Sequence, residues 1–265
     1  IKAEISRELG KLVERRLKIK FDPKQPDVNF IANIAENKID IEIKPIFIYG
    51  SYQKLKRGIP QTKWPSRKYR TSVEEIIAKP FMLASHAKSH KLHGLGREDI
   101  DARCLGWRPF VLELLKPKNR NMDLKKLSKK IAKDVRVKNM RPSSIAEVRL
   151  IKDAKADKTY NIDVECGRKI TNKDIKKIRM MNGIKQRTHK PLLNRRADKL
   201  RKRQVKLVRI KKLTGKKFLL TVRCEAGLYI KELVTGDGGR TTPSIASIMN
   251  TECKTRDLDV IKIHF

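Results

Sequence analysis

The chain has 265 residues, with 65 Lys and Arg against 29 Asp and Glu, giving a formal charge of +36 at pH 7 and a pI near 10.3. A field of that sign draws polyanions, speeds their encounter and makes binding salt-dependent through counterion release. No apolar span is long enough to cross a bilayer and no signal-peptide pattern opens the chain, so a membrane protein is not expected.

The basic residues are spread over the whole length rather than gathered in a tail. RNA is therefore the leading partner class, ahead of DNA or a membrane surface. The length fits one large domain or two smaller ones, and 39% hydrophobic residues suffice for a core. The four cysteines, Cys104, Cys166, Cys224 and Cys253, lie far apart without a Cys-x-x-Cys pair. That spacing predicts buried small apolar groups in a reducing, cytoplasmic setting, rather than a disulfide framework or zinc site.

From the start of the chain, Ile5, Leu9, Leu12, Val13 and Leu17 share one helical face. Val28, Phe30, Ala32 and Ile34 alternate, as do Ile39, Ile41 and Ile43, with Glu36 and Asn37 as the turn of a hairpin. This small α+β unit gives way to Gly58-Ile59-Pro60-Gln61-Thr62-Lys63-Trp64-Pro65, and the domain boundary is placed there, dividing 1–65 from 66–265.

In the second region Asp123 caps a predicted helix bearing Leu124, Leu127, Ile131 and Val135. Strands are predicted at Ala146 to Leu150 and at Tyr160 to Cys166, and a short helix around Ile175 and Ile178. Val205 to Ile210 and Phe218 to Cys224 read as paired strands around Thr214-Gly215. Tyr229 to Val234 opens a helix, and Leu258 to Phe265 closes the chain as a strand. Short turns between strands, with helices packed against them, predict an α+β fold on a largely antiparallel sheet.

Three constellations could carry chemistry. Gly96-Arg97-Glu98-Asp99-Ile100-Asp101-Ala102-Arg103 concentrates carboxylates in a basic chain. A phosphate-gripping scaffold has no use for them, whereas an enzyme acting on nucleic acid needs one as nucleophile or base. Arg97 and Arg103 beside it would favour the ionised form, and Gly94 and Gly96 suit close approach to the loop. A surface salt-bridge loop has the same composition. Ala226-Gly227-Leu228-Tyr229-Ile230-Lys231 sets an aromatic and a lysine at a helix start, either to meet a base and a carboxylate or as a core tyrosine and a solvated lysine. Gln186-Arg187-Thr188-His189, running on to Arg195, Arg196, Arg201 and Arg203, is an RNA-binding arm or a solvated face. Gly236-Asp237-Gly238-Gly239-Arg240 lacks the Gly-Lys-Ser/Thr ending of a phosphate loop, so nucleoside triphosphates are not indicated.

Taken in order, these three strings resemble the archaeal-type tRNA pseudouridine synthases, which modify uridines 54 and 55 of the TΨC loop. The resemblance spans the second region and implies the pseudouridine synthase fold. It implies Asp99 as the catalytic aspartate and Tyr160, in Lys158-Thr159-Tyr160, as a tyrosine contacting the target base. Tyr229 matches a second substrate tyrosine and Lys231 the basic partner of the aspartate, with Arg97, Asp101 and Arg103 supporting the loop.

The first region resembles the family's THUMP-containing RNA-binding domain through Ile46-Phe47-Ile48-Tyr49-Gly50, Lys54-Leu55-Lys56-Arg57-Gly58-Ile59-Pro60-Gln61 and Trp64-Pro65. Relatives usually carry zinc-binding cysteine pairs near there. Here Trp64-Pro65 runs through Ser66-Arg67-Lys68-Tyr69 without cysteine, so the domain reads as reduced and zinc is not expected. His189 and Asn194 also depart from the family pattern.

The implied reaction breaks the N-glycosidic bond, turns the uracil and rejoins it through carbon, without a cofactor. The target uridine must be extruded from its folded loop, at a cost of a few kcal/mol. The alternatives are a non-catalytic RNA-binding protein, such as a ribosome-associated factor or RNA chaperone, and the same chemistry on another RNA. A charge-driven binder needs neither the acidic loop nor the Tyr-Ile-Lys element.

Overall fold

Long strands with apolar side chains at every second position dominate the architecture. The computed structural model describes residues 1–24, 26–66, 68–194 and 197–265. Helix α1 (Lys2–Leu17) precedes a hairpin of β1 (Val28–Asn33) and β2 (Lys38–Ile43), which turns at Asn37, φ 46°. The apolar face of α1 buries no residue, and Phe30, Ile31, Ile39 and Ile41 of the hairpin are exposed as well. Arg120 ties this unit to the rest, pairing with Asp27 and donating to the Lys44 carbonyl.

The remaining elements are β3 (Ile46–Lys54), α2 (Val73–Ser85), β4 (Ser89–Gly94), β5 (Arg103–Leu115), α3 (Leu124–Ser128), β6 (Val135–Ser143) and α4 (Ile145–Asp153). They continue with β7 (Asp157–Cys166), α5 (Asn172–Arg179), β8 (Gly183–Gln186), β9 (Arg201–Lys212) and β10 (Lys217–Cys224). Helix α6 (Ile230–Thr235), β11 (Thr241–Thr242), α7 (Ile245–Met249) and β12 (Cys253–His264) complete the chain.

Strands β3 to β12 form one ten-stranded sheet in the order β11-β8-β9-β10-β7-β12-β5-β3-β6, with β4 paired to β5 beside that path. Every pair is antiparallel except β12 with β5, where Asp259 faces Arg103 and Val260 faces Cys104. The expected α+β fold on a mostly antiparallel mixed sheet is what forms. Two cores cover it. One gathers Ile162, Val164, Phe218, Leu220 and Val222 under α5, α6 and α7, and the other gathers Ile48, Tyr52, Phe110 and Leu112 under α2. Helix α4 covers a third, smaller cluster around Leu95, Val111, Val148 and Ile151.

Several local expectations need correction. Residues 145–153 form a helix, not a strand at 146–150, because Val148 and Ile151 bury at a spacing of three behind Ser144 at the N-cap. Helix α3 ends at Ser128, and Val135, expected on its face, opens β6 instead, although Leu127 and Ile131 still pack into the same core. Cys166 and Cys253 are joined in a disulfide, against the expectation of unpaired thiols. The pairing follows from register, since the two residues face each other on β7 and β12 with Cα atoms 4.2 Å apart. Cys104 and Cys224 are buried as expected, and burial pushes their thiols up to about 11 and about 12. Strand β3, which the sequence places in the first unit, pairs with β5 and β6 inside the large sheet. Among the described residues no helix is long and apolar enough to cross a membrane.

The parallel seam between β5 and β12 depends on Gly106, whose added Cβ would meet the Lys262 backbone at 2.9 Å. Backbone cannot yield as a side-chain tip does. Gly106→Ala is expected to destabilise the protein by about 1–3 kcal/mol in denaturant unfolding, and an unchanged midpoint would show that the seam relaxes freely.

Candidate active site

The acidic motif forms the connection from β4 to β5, residues 95–102. Beneath it three ionic side chains are fully buried, Lys54 from β3, Arg108 from β5 and Glu98 from the motif itself. Arg108 Nε pairs with Glu98 Oε2 at 3.0 Å, and the Tyr52 hydroxyl donates to the same carboxylate at 3.0 Å. Lys54 Nζ lies 3.9 Å from Glu98 and donates to the carbonyls of Ile59 and Asp99, both at 2.9 Å, and of Ile100 at 3.2 Å. Burial lowers the Lys54 ammonium from its ordinary value, and the Glu98 charge opposes that shift. Gly94 lets Gln61 reach the loop, since a Cβ there would meet the Gln61 amide nitrogen at 2.9 Å.

With Glu98 turned inward, Asp99 and Asp101 face outward, their side chains 60% and 68% exposed. The Lys231 ammonium, from the first turn of α6, comes to both. It lies 2.8 Å from each oxygen of Asp101 and 3.3 Å from Asp99 Oδ2. Asp101 is thus the lysine's nearer partner. Partial burial works to raise the Asp101 carboxyl, but the Lys231 hydrogen bonds and charge outweigh it and hold it below its ordinary value. For Lys231 burial pulls the ammonium down, and its hydrogen bond to Asp101 with the Asp99 charge brings it above its usual range.

Tyr160 is placed on β7 between Val222 of β10 and Val260 of β12. Burial raises its phenol well above the ordinary value, and the charges of Cys224 and Asp99 add to the rise. Tyr229 is the N-cap of α6. Gln186, buried on β8, clamps it reciprocally. The Tyr229 N–H donates to Gln186 Oε1 at 2.8 Å, and Gln186 Nε2 donates to the Tyr229 carbonyl at 3.0 Å. That clamp sets the start of α6 and so the reach of Lys231. Beyond it, His189 lies 3.1 Å from Glu232 and 3.2 Å from Asp237, with its ring 6.4 Å from that of Tyr229. Burial raises the Glu232 carboxyl above its usual range.

Not every expected residue joins the site. Arg103 points across the parallel seam and is held by Asp259 at 2.9 and 2.6 Å, so it does not neutralise Asp99. Arg97 is exposed and makes no ion pair among the described residues. Arg187 lies 3.4 Å from Asp198, and Arg201 donates to the buried Thr188 hydroxyl at 3.0 Å. Arg203 packs its guanidinium on Gly227. Arg195 and Arg196 lie outside the described residues. Tyr52 and Glu232 carry no functional signal in sequence, and Lys54, Gln61 and Gln186 stand there only within strings read as RNA-binding, because burial and partners alone mark their place beneath and beside the loop. As for zinc, no group of three or more His, Cys, Asp or Glu among the described residues is arranged to hold a metal ion.

The family model described as "Pus10, C-terminal" matches residues 47–264, from the start of β3 to the end of β12. The chain belongs to the Pus10 family. It is 44% identical to the tRNA pseudouridine synthase Pus10 of Methanocaldococcus jannaschii over 96% of this chain and 61% of that protein. To the Methanopyrus kandleri Pus10 it is 38% identical, over 99% of this chain and 67% of that protein. The chain thus spans about 61–67% of the length of these Pus10 relatives. Among solved structures it is similar to a chain of a Cbf5-Nop10-Gar1 complex, with a TM-score of 0.47 and 16% identity over 79% of this chain and 47% of that one.

Within this Pus10-family site, the Lys231–carboxylate pair has a definite pH window. The depressed Asp101 value contributes stability above the unfolded carboxyl value of about 3.9, and that is lost as pH falls through the folded value. The raised Lys231 value contributes below about 10.4 and is lost as pH rises through its own folded value. Lys231→Met is therefore expected to cost at most about 1 kcal/mol at pH 7, the carboxylates being mostly exposed. The difference from wild type should shrink below pH 4. A denaturant-unfolding difference that is equal at pH 7 and pH 3 would place the effect outside the ion pair.

Proposed function

We propose that this chain is the catalytic portion of a tRNA pseudouridine synthase that converts uridines 54 and 55 of the TΨC loop, with Asp99 as the catalytic residue. The observation that carries the reading is that Lys231, 132 residues further along the chain, comes within 3.3 Å of Asp99 and 2.8 Å of Asp101. The Lys231 side chain is only 35% exposed, so the contact is more than a meeting of two freely solvated groups. Membership of the Pus10 family supports the same chemistry.

In this reading the target base is flipped from the tRNA loop, and the basic surface offsets the unstacking cost through phosphate contacts. Tyr160 and Tyr229 hold the extruded uracil beside Asp99. The carboxylate acts on the nucleotide while the N-glycosidic bond breaks, the uracil turns, and its C5 bonds to the ribose C1′. The C5 proton is lost and N1 gains one, so the product is an isomer and no cofactor enters. Arg187, Arg201 and Arg203 are read as contacts to the RNA backbone.

The strings in 1–65 that resemble a reduced, zinc-free THUMP-like domain, Ile46 to Gly50 and Lys54 to Gln61, lie on or just after β3, and the helix and hairpin before it hold none of them. The catalytic unit is best taken to begin at β3 rather than at residue 66, since β3 lies between β5 and β6 in the sheet.

Incubating the protein with unmodified tRNA transcript and mapping pseudouridine at each uridine tests the reading. Wild type is expected to modify the TΨC-loop uridines, and Asp99→Asn to abolish turnover while tRNA affinity stays within a few-fold. Binding by the wild type without any product would instead favour a non-catalytic RNA-binding role. Affinity should fall steeply with salt, by about 10³-fold or more between 50 and 200 mM if six or more phosphates are contacted. A flat salt response would separate binding from the basic surface.

A further inference from the structure

The segment from Tyr52 to Gln61 reads in sequence as part of an RNA-binding accessory region, yet the side chains of Tyr52, Lys54, Arg57 and Gln61 reach the acidic loop. Lys54 is fully buried, and its three hydrogen bonds all go to backbone carbonyls, two of them those of Asp99 and Ile100. Gln61 donates to the carbonyl of Gly96 at 2.9 Å and to the Tyr52 hydroxyl at 2.8 Å, which passes the link on to Glu98. Arg57 donates to the carbonyl of Asp101 at 3.0 Å. Arg108 donates to the carbonyl of Leu95 at 2.7 Å.

The loop carbonyls of residues 95, 96, 99, 100 and 101 are therefore each held from below by a side-chain donor. A loop whose carbonyls are fixed on one side has little freedom in the direction of its side chains. Here Asp99 and Asp101 are left facing Lys231.

We propose that Lys54 and Gln61 are positioning residues for the reaction, aiming the carboxylates of Asp99 and Asp101 at Lys231 through the backbone of the loop. The proposal deepens the pseudouridine synthase reading and rests on it for the reaction that is measured. It moves part of the catalytic apparatus into a segment whose composition suggests RNA contact. Its energetic logic is that of preorganisation, in which a shift of about 1 Å in a reacting group can cost about 10²-fold in rate.

The test uses Lys54→Met, which keeps the aliphatic stem and removes the ammonium, and Gln61→Leu, which keeps the size and removes both donor bonds. Gln61 is only partly buried, so its variant decides the matter if Lys54→Met does not fold. Two quantities are read. One is kcat against KM on tRNA transcript. The other is the carboxyl titration of Asp101, followed by carbon NMR without RNA. Positioning predicts a kcat lower by about tenfold for Gln61→Leu and about 10²-fold for Lys54→Met, with KM within about twofold. It also predicts an Asp101 titration moved upward as its contact with Lys231 loosens.

A kcat loss without the NMR change, an NMR change without the kcat loss, or a loss confined to KM each overturns the proposal. If the wild type forms no pseudouridine on tRNA, the reading of the reaction has failed instead, and the Asp101 titration alone decides whether these residues aim the loop.

Discussion

Two cations and one carboxylate share a dry space under the acidic loop. Lys54, Arg108 and Glu98 all have fully buried side chains. Burying charge is costly unless each group is paired and hydrogen-bonded. One carboxylate cannot neutralise two cations, so the surplus positive charge is met by dipoles, the carbonyls of Leu95, Ile59, Asp99 and Ile100. The cluster and the loop are thus mutually dependent. The loop supplies the oxygens that make the buried charge tolerable, and the charge fixes the loop. An apolar core of the same volume could be as stable, but it would leave those carbonyls without donors.

The sheet order turns this local device into a site. Strands β3, β5, β12, β7 and β10 are consecutive neighbours in space while coming from widely separated parts of the chain. Lys54 on β3, the loop entering β5 and Tyr160 on β7 are therefore brought close across the middle of the sheet. Helix α6, which follows β10 and packs against β12, brings Lys231 to the same place. The Gln186 clamp on Tyr229 closes the assembly from the far side. No short stretch of sequence could hold a carboxylate pair, a lysine and two tyrosines in this relation.

What was legible in sequence follows the strength of each local signal. The hairpin around Asn37, the alternation of Ile162, Val164 and Cys166, the strands about Thr214-Gly215 and the helix after Tyr229 all have periodicity or turn chemistry that declares them. Strand β5 is buried on both faces through residues 108–112, so its alternation is erased there. Helix α4 is too short for a helical period to outweigh a strand reading, and α3, found from its Asp123 cap, ends earlier than its apolar spacing suggests. Arg103 follows the aspartates closely in sequence, yet strand geometry sends it to Asp259 instead. The Cys166–Cys253 contact depends on register between strands 87 residues apart, which spacing cannot disclose. Lys54 is the sharpest case, since a buried lysine and a surface lysine are written identically.

The long sheet has a consequence for how the protein behaves in crowded solution. An open sheet invites another chain to pair with its edge. One end of this sheet is β11, only two residues long, and the other is β6, which carries Arg136, Lys138, Arg141 and Pro142. A strand so short presents almost no template, and a proline with three like charges repels an identical neighbour. Neither end of that strand path therefore offers an identical chain a ready template for pairing.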